Sequence, residues 1–458
     1  MESFTDASEA GTTPPIFQID LALPPAERYV ALATIYRERM RALRGMFDEL
    51  VTSVSPKIPV KGIHWLARMS LRRLYTDEET AELQGISRTT DIDLYLLICL
   101  NTVLDLLMGC TSGGVRTING SENPKMLHFR TLDWGMDPLR NLIVQLEFVH
   151  GDNPRKVLAT SITYVGFVGV LTGVRQGLSA SLNFRPVHDT SRNWAFYFNH
   201  LLVLLGQRQS ISSLLRECIL SRPSEPKYKR PVSTLDEIIA NVPSMPTTAA
   251  YLIFSDGERT AVMEKDHRTA VVRSSTSFIV VTNNDQHPDS TSPKTIAADK
   301  RKNHAGLSIV ASNVQAMADL IEDSNERREC LQEKWTKRVQ EAARAKELNG
   351  QLQKKNIVES KPATRSPSTR SSVRLRKKRE EAEAGVETHR TSERNDSNFD
   401  SEVAIKPKEA ISWLTTYPIV NEETHYATVM DPLRGKIKWA RMYFPDDWVE
   451  VEELETRA

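Results

Sequence analysis

Residues 109–135 read GCTSGGVRTINGSENPKMLHFRTLDWG, and the spacing of apolar residues along the chain changes at this stretch. Before it, apolar residues recur at helical spacing over residues 24–54 and 63–74, and residues 91–108 are apolar on most sides. After it, the chain breaks into short runs that are rich in β-forming residues or alternate in polarity. The stretch therefore separates a predicted helical segment from a predicted sheet-forming one.

The predicted strands are short, and clusters of Gly, Asp and Asn bound several of them. They lie at residues 127–132, 142–149, 156–163, 178–182, 250–255, 260–264, 270–274, 278–282, 424–430 and 436–444. Residues 193–221 return to helical spacing between the first and second groups of strands. The order helices, strands, helices, strands predicts an α+β layered sandwich.

A stretch with almost no large apolar residues, 329–403, interrupts this pattern. Part of it reads KPATRSPSTRSSVRLRKKREEAEAG, which cannot bury enough apolar surface to fold, so we predict a disordered charged insert. Its basic residues 365–379 form a solvated loop, or else a nuclear localisation signal or a patch that binds an anionic surface. Residues 1–14 are predicted to be a disordered lead, and residues 449–458 an acidic tail.

The overall charge is nearly balanced, with 60 basic and 59 acidic residues. This balance argues neither for nucleic acid nor for an anionic membrane as a partner. Residues 1–15 are acidic and polar, and they lack the basic start and apolar run of a secretory signal. We also find no run of the roughly 20 apolar residues that cross a bilayer. The sequence therefore predicts a soluble protein, with the cytoplasm as the default location.

The cysteines and histidines form no recognisable metal pattern. Cys99, Cys110, Cys218 and Cys330 are spaced too widely for a zinc site, and four cysteines in 458 residues do not make a disulfide scaffold. The ten histidines contain no HxxxH or HExxH pair, and no phosphate-binding glycine loop occurs. We therefore expect neither a metal ion nor another cofactor.

The residues alone leave the chemistry of residues 109–135 open. A single cysteine that ends an apolar helix, as predicted for Cys110, is most often a small buried hydrophobic residue. Arg130 and Asp133, three residues apart, would ordinarily form an ion pair.

Several motifs, taken in order, resemble the acid ceramidase and N-acylethanolamine acid amidase family. Cys-Thr-Ser at 110–112 and His-Phe-Arg-Thr-Leu-Asp-Trp-Gly at 128–135 resemble the region around that family's nucleophile. Further similar segments lie at residues 14–29, 169–185, 247–266, 281–285, 298–301 and 417–440. Each motif is weak by itself, but their order is specific, and the resemblance covers roughly residues 15–320 and 405–445, leaving out the insert.

The resemblance implies the αββα sandwich of N-terminal-nucleophile hydrolases. Residues 15–109 would form a helical segment like the family's α-subunit, and residues 110–328 with 404–448 would form the hydrolase domain. The chain would be made as a precursor that cuts itself between Gly109 and Cys110, giving a two-chain form. The α-amine freed on Cys110 has an ordinary pKa of about 7.7–8.0 and would serve as the base for its own thiol.

The resemblance also implies roles for other residues. Asp133 matches the carboxylate that orients the free amine, and Arg130 matches the arginine that holds the substrate carbonyl region and favours the thiolate. Asn283 matches the asparagine whose amide donates into the oxyanion hole. Arg301 matches an arginine that supports the site, although an ordinary surface arginine is the alternative.

Three positions depart from the family pattern. Phe184 stands where the family has a carboxylate that supports self-cleavage, between Asn183 and Arg185. Phe129 replaces a glycine, and Asn284 replaces an aromatic residue. The missing signal also departs from this secreted, lysosomal family, which otherwise implies a lysosomal, vacuolar or secreted location.

The function implied by the resemblance is hydrolysis of the amide of N-acylsphingosine to a fatty acid and a sphingoid base. The alternatives are hydrolysis of N-acylethanolamine or another fatty amide, and a non-catalytic relative that binds lipid. Because such a substrate lies in a membrane, the helices that carry Arg68, Arg72 and Arg73 would rest on a lipid surface, or else pair with the core. No nucleic acid partner is expected.

Overall fold

The computed structural model describes residues 11–45, 48, 60–103, 109–151, 153–186, 193–220, 234–286, 314–359, 402–445 and 447. The chain divides into two compact units. The first is Met1–Leu331 with Ile405–Ala458, and the second is Gln332–Ala404. The two sheets described next belong to the first unit.

The strands of the described residues follow one another along the chain. They are β1 (Ile16–Asp20), β2 (Gly109–Thr117), β3 (Lys125–Asp133), β4 (Ile143–Val149), β5 (Ala159–Tyr164), β6 (Thr172–Arg175), β7 (Leu178–Phe184), β8 (Ala250–Ser255), β9 (Thr260–Lys265), β10 (Ala270–Ser275), β11 (Phe278–Val281), β12 (Thr424–Asp431) and β13 (Lys436–Met442).

The α-helices of the described residues lie before, between and after these strands. They are α1 (Val30–Met40), α2 (Val60–Ser70), α3 (Asp77–Thr90), α4 (Leu94–Val103), α5 (Asn193–Leu204), α6 (Ile211–Leu220), α7 (Leu235–Asn241), α8 (Val314–Glu359) and α9 (Pro407–Leu414). No helix among the described residues is both long enough and apolar enough to cross a membrane.

The strands of the described residues form two sheets. One has the order β1-β4-β5-β6-β7-β8-β9-β10 and the other the order β11-β2-β3-β12-β13. Strands β2 and β3 lie against β7 and β8, so the sheets pack face to face. Helix α6 packs on β6 and β7, and helix α9 packs on β2 and β3. The result is the predicted α+β arrangement of helix, sheet, sheet and helix.

A polar layer lies between the two sheets. His128 on β3 hydrogen-bonds through its ring nitrogens to Ser179 Oγ at 2.8 Å and Ser181 Oγ at 2.9 Å, both on β7. Burial lowers the pKa of His128 to about 3, so the ring is neutral. Arg130, two residues on, shares this face because side chains alternate along a strand. Ser112 lies opposite Arg130 on β2.

The N-terminal segment is more than the helical segment that the sequence predicts. Strand β1 pairs in parallel with β4 and so extends the larger sheet. Helix α3, which the sequence did not reveal, begins with Thr76 as its cap, whose Oγ1 accepts the Glu79 N–H at 3.1 Å. The boundary predicted at residue 110 therefore does not separate the segment from the sheet.

Three predicted helices differ from the structure. Residues 24–54 were predicted as one helix, but a 3-10 turn at Pro25–Glu27 precedes α1, which ends at Met40. Residues 193–221 form two helices, because Gly206 has a positive φ of 65° that ends the first. Cys110, predicted to end a helix, lies in strand β2.

The predicted disorder of residues 329–403 is wrong for its first part. Helix α8 runs to Glu359 and so includes the first part of this stretch. Glu, Lys, Arg, Gln and Ala dominate this sequence, and it contains no proline. These residues are strong helix formers, so low apolar content alone was a poor guide. The remainder of the predicted insert up to residue 401, including residues 365–379, lies outside the described residues, as does the tail at 449–458.

Candidate active site

Cys110 is the second residue of β2 and is fully buried. The residue before it, Gly109, pairs with Asp133 at the end of β3. The N–H of Cys110 donates to Asn283 Oδ1 at 2.8 Å. The peptide bond between Gly109 and Cys110 therefore lies between two of the predicted site residues, in the intact chain.

The Cys110 thiol lies against the guanidinium of Arg130. Arg130 Nη2 donates to Sγ at 3.3 Å, and Nη1 donates to the carbonyls of Leu171 at 3.2 Å and Leu182 at 2.5 Å. Burial raises the pKa of the Cys110 thiol, and the charge of Arg130 acts to lower it. A buried cation that contacts carbonyls and a thiol favours the thiolate.

The Asp133 carboxylate accepts hydrogen bonds on both of its oxygens. Thr424 Oγ1 on β12 donates to Oδ1 at 2.8 Å, and Arg327 Nη1 on α8 donates to Oδ2 at 2.5 Å. Burial raises the pKa of the Asp133 carboxyl, and Arg327 and Thr424 act to lower it. The carboxylate is thus placed beside Gly109, with its ionised form supported by a cation and a hydroxyl.

Asn283 follows β11, the neighbour of β2 in the smaller sheet. Its Oδ1 accepts the Cys110 N–H and also Arg327 Nη2 at 3.3 Å. Its Nδ2 donates to the carbonyl of Phe184 at 2.8 Å. In the intact chain Asn283 Nδ2 is therefore occupied by the Phe184 carbonyl. The donation of this amide into an oxyanion hole remains a prediction.

The structure brings Cys110, Arg130, Asp133 and Asn283 together, while Arg301 lies outside the described residues. Arg327, which sequence reasoning missed, joins Asp133 to Asn283 and is itself buried. The sequence contained a signal for Arg327. Residues 323–328 read DSNERR, in which acidic residues precede two arginines, just as an acidic residue precedes Arg301.

Asn183 is a second residue that the prediction did not assign to the site. Its Oδ1 accepts from Ser112 Oγ at 2.7 Å. Its Nδ2 lies 3.5 Å from the carbonyl of Cys110 and 3.2 Å from that of Val281. Asn183 therefore ties β7 to the two strands β2 and β11 directly beside the cysteine.

Comparison with known proteins finds similarity to enzymes that are named as amide hydrolases. The model of a family described as the beta subunit of N-acylethanolamine-hydrolyzing acid amidase matches residues 12–75. An N-acylethanolamine-hydrolyzing acid amidase of Caenorhabditis elegans is 27% identical over 180 residues, which are 37% of this chain and 47% of that protein. Acid ceramidase of Bos taurus is 29% identical over 189 residues, which are 37% of this chain and 45% of that protein. The chain is thus similar in sequence to members of the acid ceramidase and N-acylethanolamine acid amidase family.

The chain spans just under half the length of these two members of the family. A solved structure of the N-acylethanolamine-hydrolyzing acid amidase ortholog of Caenorhabditis elegans aligns with 73% of this chain and 99% of its own, at 17% identity and a TM-score of 0.40. That score is too low to bear on the fold or the activity.

One departure from the acid ceramidase and N-acylethanolamine acid amidase pattern has a visible structural basis. Phe129, in place of the glycine, lies opposite Gly113 on β2 and stacks on Phe278 with ring centroids 6.3 Å apart. A glycine across from an aromatic ring leaves room for that ring. Phe129 is therefore accommodated between Gly113 and Phe278.

Proposed function

We propose that this chain is an amide hydrolase that first cuts its own Gly109–Cys110 bond and then uses Cys110 as an N-terminal nucleophile. The observation that carries the proposal is the position of the Cys110 thiol, 3.3 Å from Arg130 Nη2, with the Cys110 nitrogen on Asn283. The similarity to amide-cleaving relatives supports the same reaction class.

The proposed self-cleavage begins with the thiolate of Cys110. Its sulfur attacks the carbonyl carbon of Gly109, the carbon–nitrogen bond breaks, and the nitrogen takes a proton to become the α-amine. The thioester left on the sulfur is hydrolysed by water, which gives a carboxylate on Gly109 and restores the thiol. Asp133, which pairs with Gly109, is placed to hold the new ammonium group.

The proposed turnover repeats these steps on a substrate amide. The α-amine accepts the thiol proton, the sulfur attacks the substrate carbonyl, and negative charge develops on the carbonyl oxygen. Collapse of this intermediate expels the substrate amine, which takes the proton from the α-ammonium group. Water then hydrolyses the acyl thioester and releases the carboxylic acid.

We infer a fatty amide as the substrate, and a lipid surface as its source. Helix α2 exposes Trp65 at 65% and Leu66 at 58%, and helix α5 also exposes Phe198 and Leu201. Both helices pack beside α4, since the ring of His64 on α2 contacts Tyr95, and α5 contacts α4 directly. Exposed apolar side chains on neighbouring helices mark interaction surfaces, and a lipid membrane is the partner that fits a fatty amide substrate.

N-acylsphingosine is the substrate that we propose first, with N-acylethanolamine as the alternative, because both kinds of relative match the chain. Fatty acid release from each would be measured with the wild type, Cys110→Ala and Cys218→Ala. We expect Cys110→Ala to lower the rate by at least about 10³-fold. Cys218→Ala is the control, because it removes a different buried thiol, on α6, that has no role in the proposed reaction.

The possible outcomes bear on the substrate, on the nucleophile and on whether the chain is an enzyme. Faster release from N-acylethanolamine would select the alternative substrate. Release that persists in Cys110→Ala would contradict the nucleophile. A wild type that cleaves neither amide but binds phosphatidylcholine vesicles would be a lipid-binding relative.

A further inference from the structure

A hydrogen-bonded cluster surrounds the backbone of Asn283 on the side away from Cys110. Asn284 Oδ1 lies 3.0 Å from Thr282 Oγ1 and 2.8 Å from Ser324 Oγ. Ser324 Oγ accepts the N–H of Asn283 at 2.8 Å. Asn284 Nδ2 donates to Asn325 Oδ1 at 2.6 Å. Thr282, Asn284 and Ser324 are all buried.

The cluster includes Asn284, one of the positions at which this chain departs from the pattern that its sequence resembles. An aromatic side chain at this position could not accept the two hydroxyl contacts that Asn284 Oδ1 receives. The departure therefore adds a set of polar contacts between the strand end at residue 282 and helix α8. A fully satisfied network of buried hydrogen bonds is rigid, so these contacts hold the strand end and helix α8 in one relative position.

The same turn of α8 contacts Asn283 twice. Ser324 accepts its backbone N–H, and Arg327, three residues later on the same helix face, donates to its Oδ1 at 3.3 Å. Arg327 also holds Asp133. A shift of this turn would therefore move the asparagine and the carboxylate together.

We propose that Thr282, Asn284 and Ser324 are positioning residues that aim the side chain of Asn283. The inference rests on the proposed amide hydrolysis, in which Asn283 contacts the reacting atoms. A donor for a transient oxyanion must be in place when charge develops, so misplacing it by a fraction of an ångström costs turnover more than binding. The cluster holds Asn283 through its backbone N–H, while the side chain itself contacts Cys110, Arg327 and Phe184.

The test compares Ser324→Ala and Asn284→Ala, singly and combined, with Ser161→Ala. Ser161 is a matched control because its buried hydroxyl donates to the carbonyl of Thr172 at 2.8 Å within the larger sheet. Steady-state rates would be expressed per mole of cleaved chain, with urea unfolding measured in parallel. Asn325→Ala serves as a milder variant, since Asn325 is only half-buried and its folding risk is small.

We expect Ser324→Ala and Asn284→Ala each to lower kcat by about 10- to 100-fold with KM within about twofold, and Ser161→Ala to leave both unchanged. The double variant should fall no further than the worse single variant, since both remove one network. Asn325→Ala should lower kcat a few-fold. A Ser324→Ala chain that folds but is not cleaved would also support the inference, because Asn283 holds the nitrogen of the scissile bond.

The inference and the proposed function fail on different results. An inactive wild type would remove the proposed function, and the inference with it. An active wild type whose kcat is the same as that of Ser324→Ala and Asn284→Ala would overturn the inference alone. Equal falls of kcat in Ser324→Ala and Ser161→Ala would also overturn it, since a general loss of stability would explain both.

Discussion

Arg327 is the residue that joins the two sides of the site. It donates to Asp133 Oδ2 at 2.5 Å and to Asn283 Oδ1 at 3.3 Å, and it is almost wholly buried. A buried carboxylate without a cation beside it tends to take up a proton. Arg327 therefore favours the ionised form of Asp133, which the proposed reaction needs next to the α-ammonium group.

Replacing Arg327 by Gln is expected to move the acid limb of the activity profile to higher pH. Burial already raises the pKa of Asp133 and Arg327 acts to lower it, so removing the guanidinium raises this pKa further. The dependence of kcat on pH measures the shift. Arg175→Gln is the control, because Arg175 donates to the backbone carbonyls of Cys218 and Gln176 and not to Asp133 or Asn283 in any contact described above. Acid limbs that coincide would contradict the role of Arg327.

Gly113 makes room for two neighbours at once. A Cβ placed on it would lie 2.1 Å from the carbonyl oxygen of Ile279 and 2.7 Å from Cζ of Phe129. We expect Gly113→Ala to lower the free energy of unfolding by about 1–3 kcal/mol, measured by urea denaturation. Gly62→Ala on α2 is the control, since no atom lies within 4 Å of a Cβ there. Equal stabilities of the two variants would contradict this packing.

At the scale of elements, buried ion pairs hold the N-terminal segment to helix α6. Glu82 on α3 pairs with Arg216 on α6 at 2.5 Å and with Arg28 at 2.9 Å, and the Glu82 side chain is fully buried. Strand β1 adds a ladder of backbone hydrogen bonds to β4. None of these contacts depends on the Gly109–Cys110 bond.

We therefore expect the two pieces of a cleaved chain to stay together. In Glu82→Gln they should separate at a lower urea concentration, because two buried arginines lose a carboxylate, at a cost of about 3–5 kcal/mol. Size-exclusion chromatography in rising urea measures this. Glu38→Gln, which removes an exposed ion pair with Arg41, should behave as the wild type. Pieces of the wild type that separate without urea would contradict the prediction.

Elements were predictable from the sequence where β-forming residues sit between turn residues, as in β8 and β9. Strand β2 was not, since GCTSGGVRT is rich in small residues and its place is fixed by pairing with β3. Helix α8 was missed because its sequence holds few large apolar residues, although its helix propensity is high. Arg327 was missed because the resemblance had already assigned the supporting arginine to Arg301, although residues 323–328 also contain acidic residues followed by two arginines. Its contacts with Asp133 and Asn283 became visible only in the structure.

At the scale of the whole molecule, two buried histidines make the free energy of unfolding depend on pH. Burial lowers the pKa of His128 and of His425 to about 3, against an ordinary value of 6.5. The unfolded chain therefore binds more protons than the folded one between about pH 6.5 and pH 3. Each histidine lowers stability as the pH falls through this window, by up to about 1.4 kcal/mol per pH unit. Burial raises the pKa of Asp133 and Glu79, which acts in the opposite direction.

Replacing His128 by Gln isolates one of these contributions. The amide can still contact Ser179 and Ser181 but does not titrate, so the slope of unfolding free energy against pH should fall by about one proton between pH 6 and pH 4. Urea denaturation at several pH values measures the slope. His150→Gln, at a half-buried position, is the comparison. An unchanged slope in His128→Gln would contradict a neutral buried ring.

The central claim is that Cys110 becomes an N-terminus by its own chemistry. The most direct measurement is the intact mass of the purified wild type and of Cys110→Ala after incubation at about pH 4.5 and about pH 7, two pH values between which carboxyl groups change their ionisation. The account predicts that the wild type gives the masses of two pieces, one ending at Gly109 and the other beginning at Cys110, and that Cys110→Ala keeps its full mass. A wild-type chain that stays whole at both pH values, or a Cys110→Ala chain cut at the same bond, would contradict it.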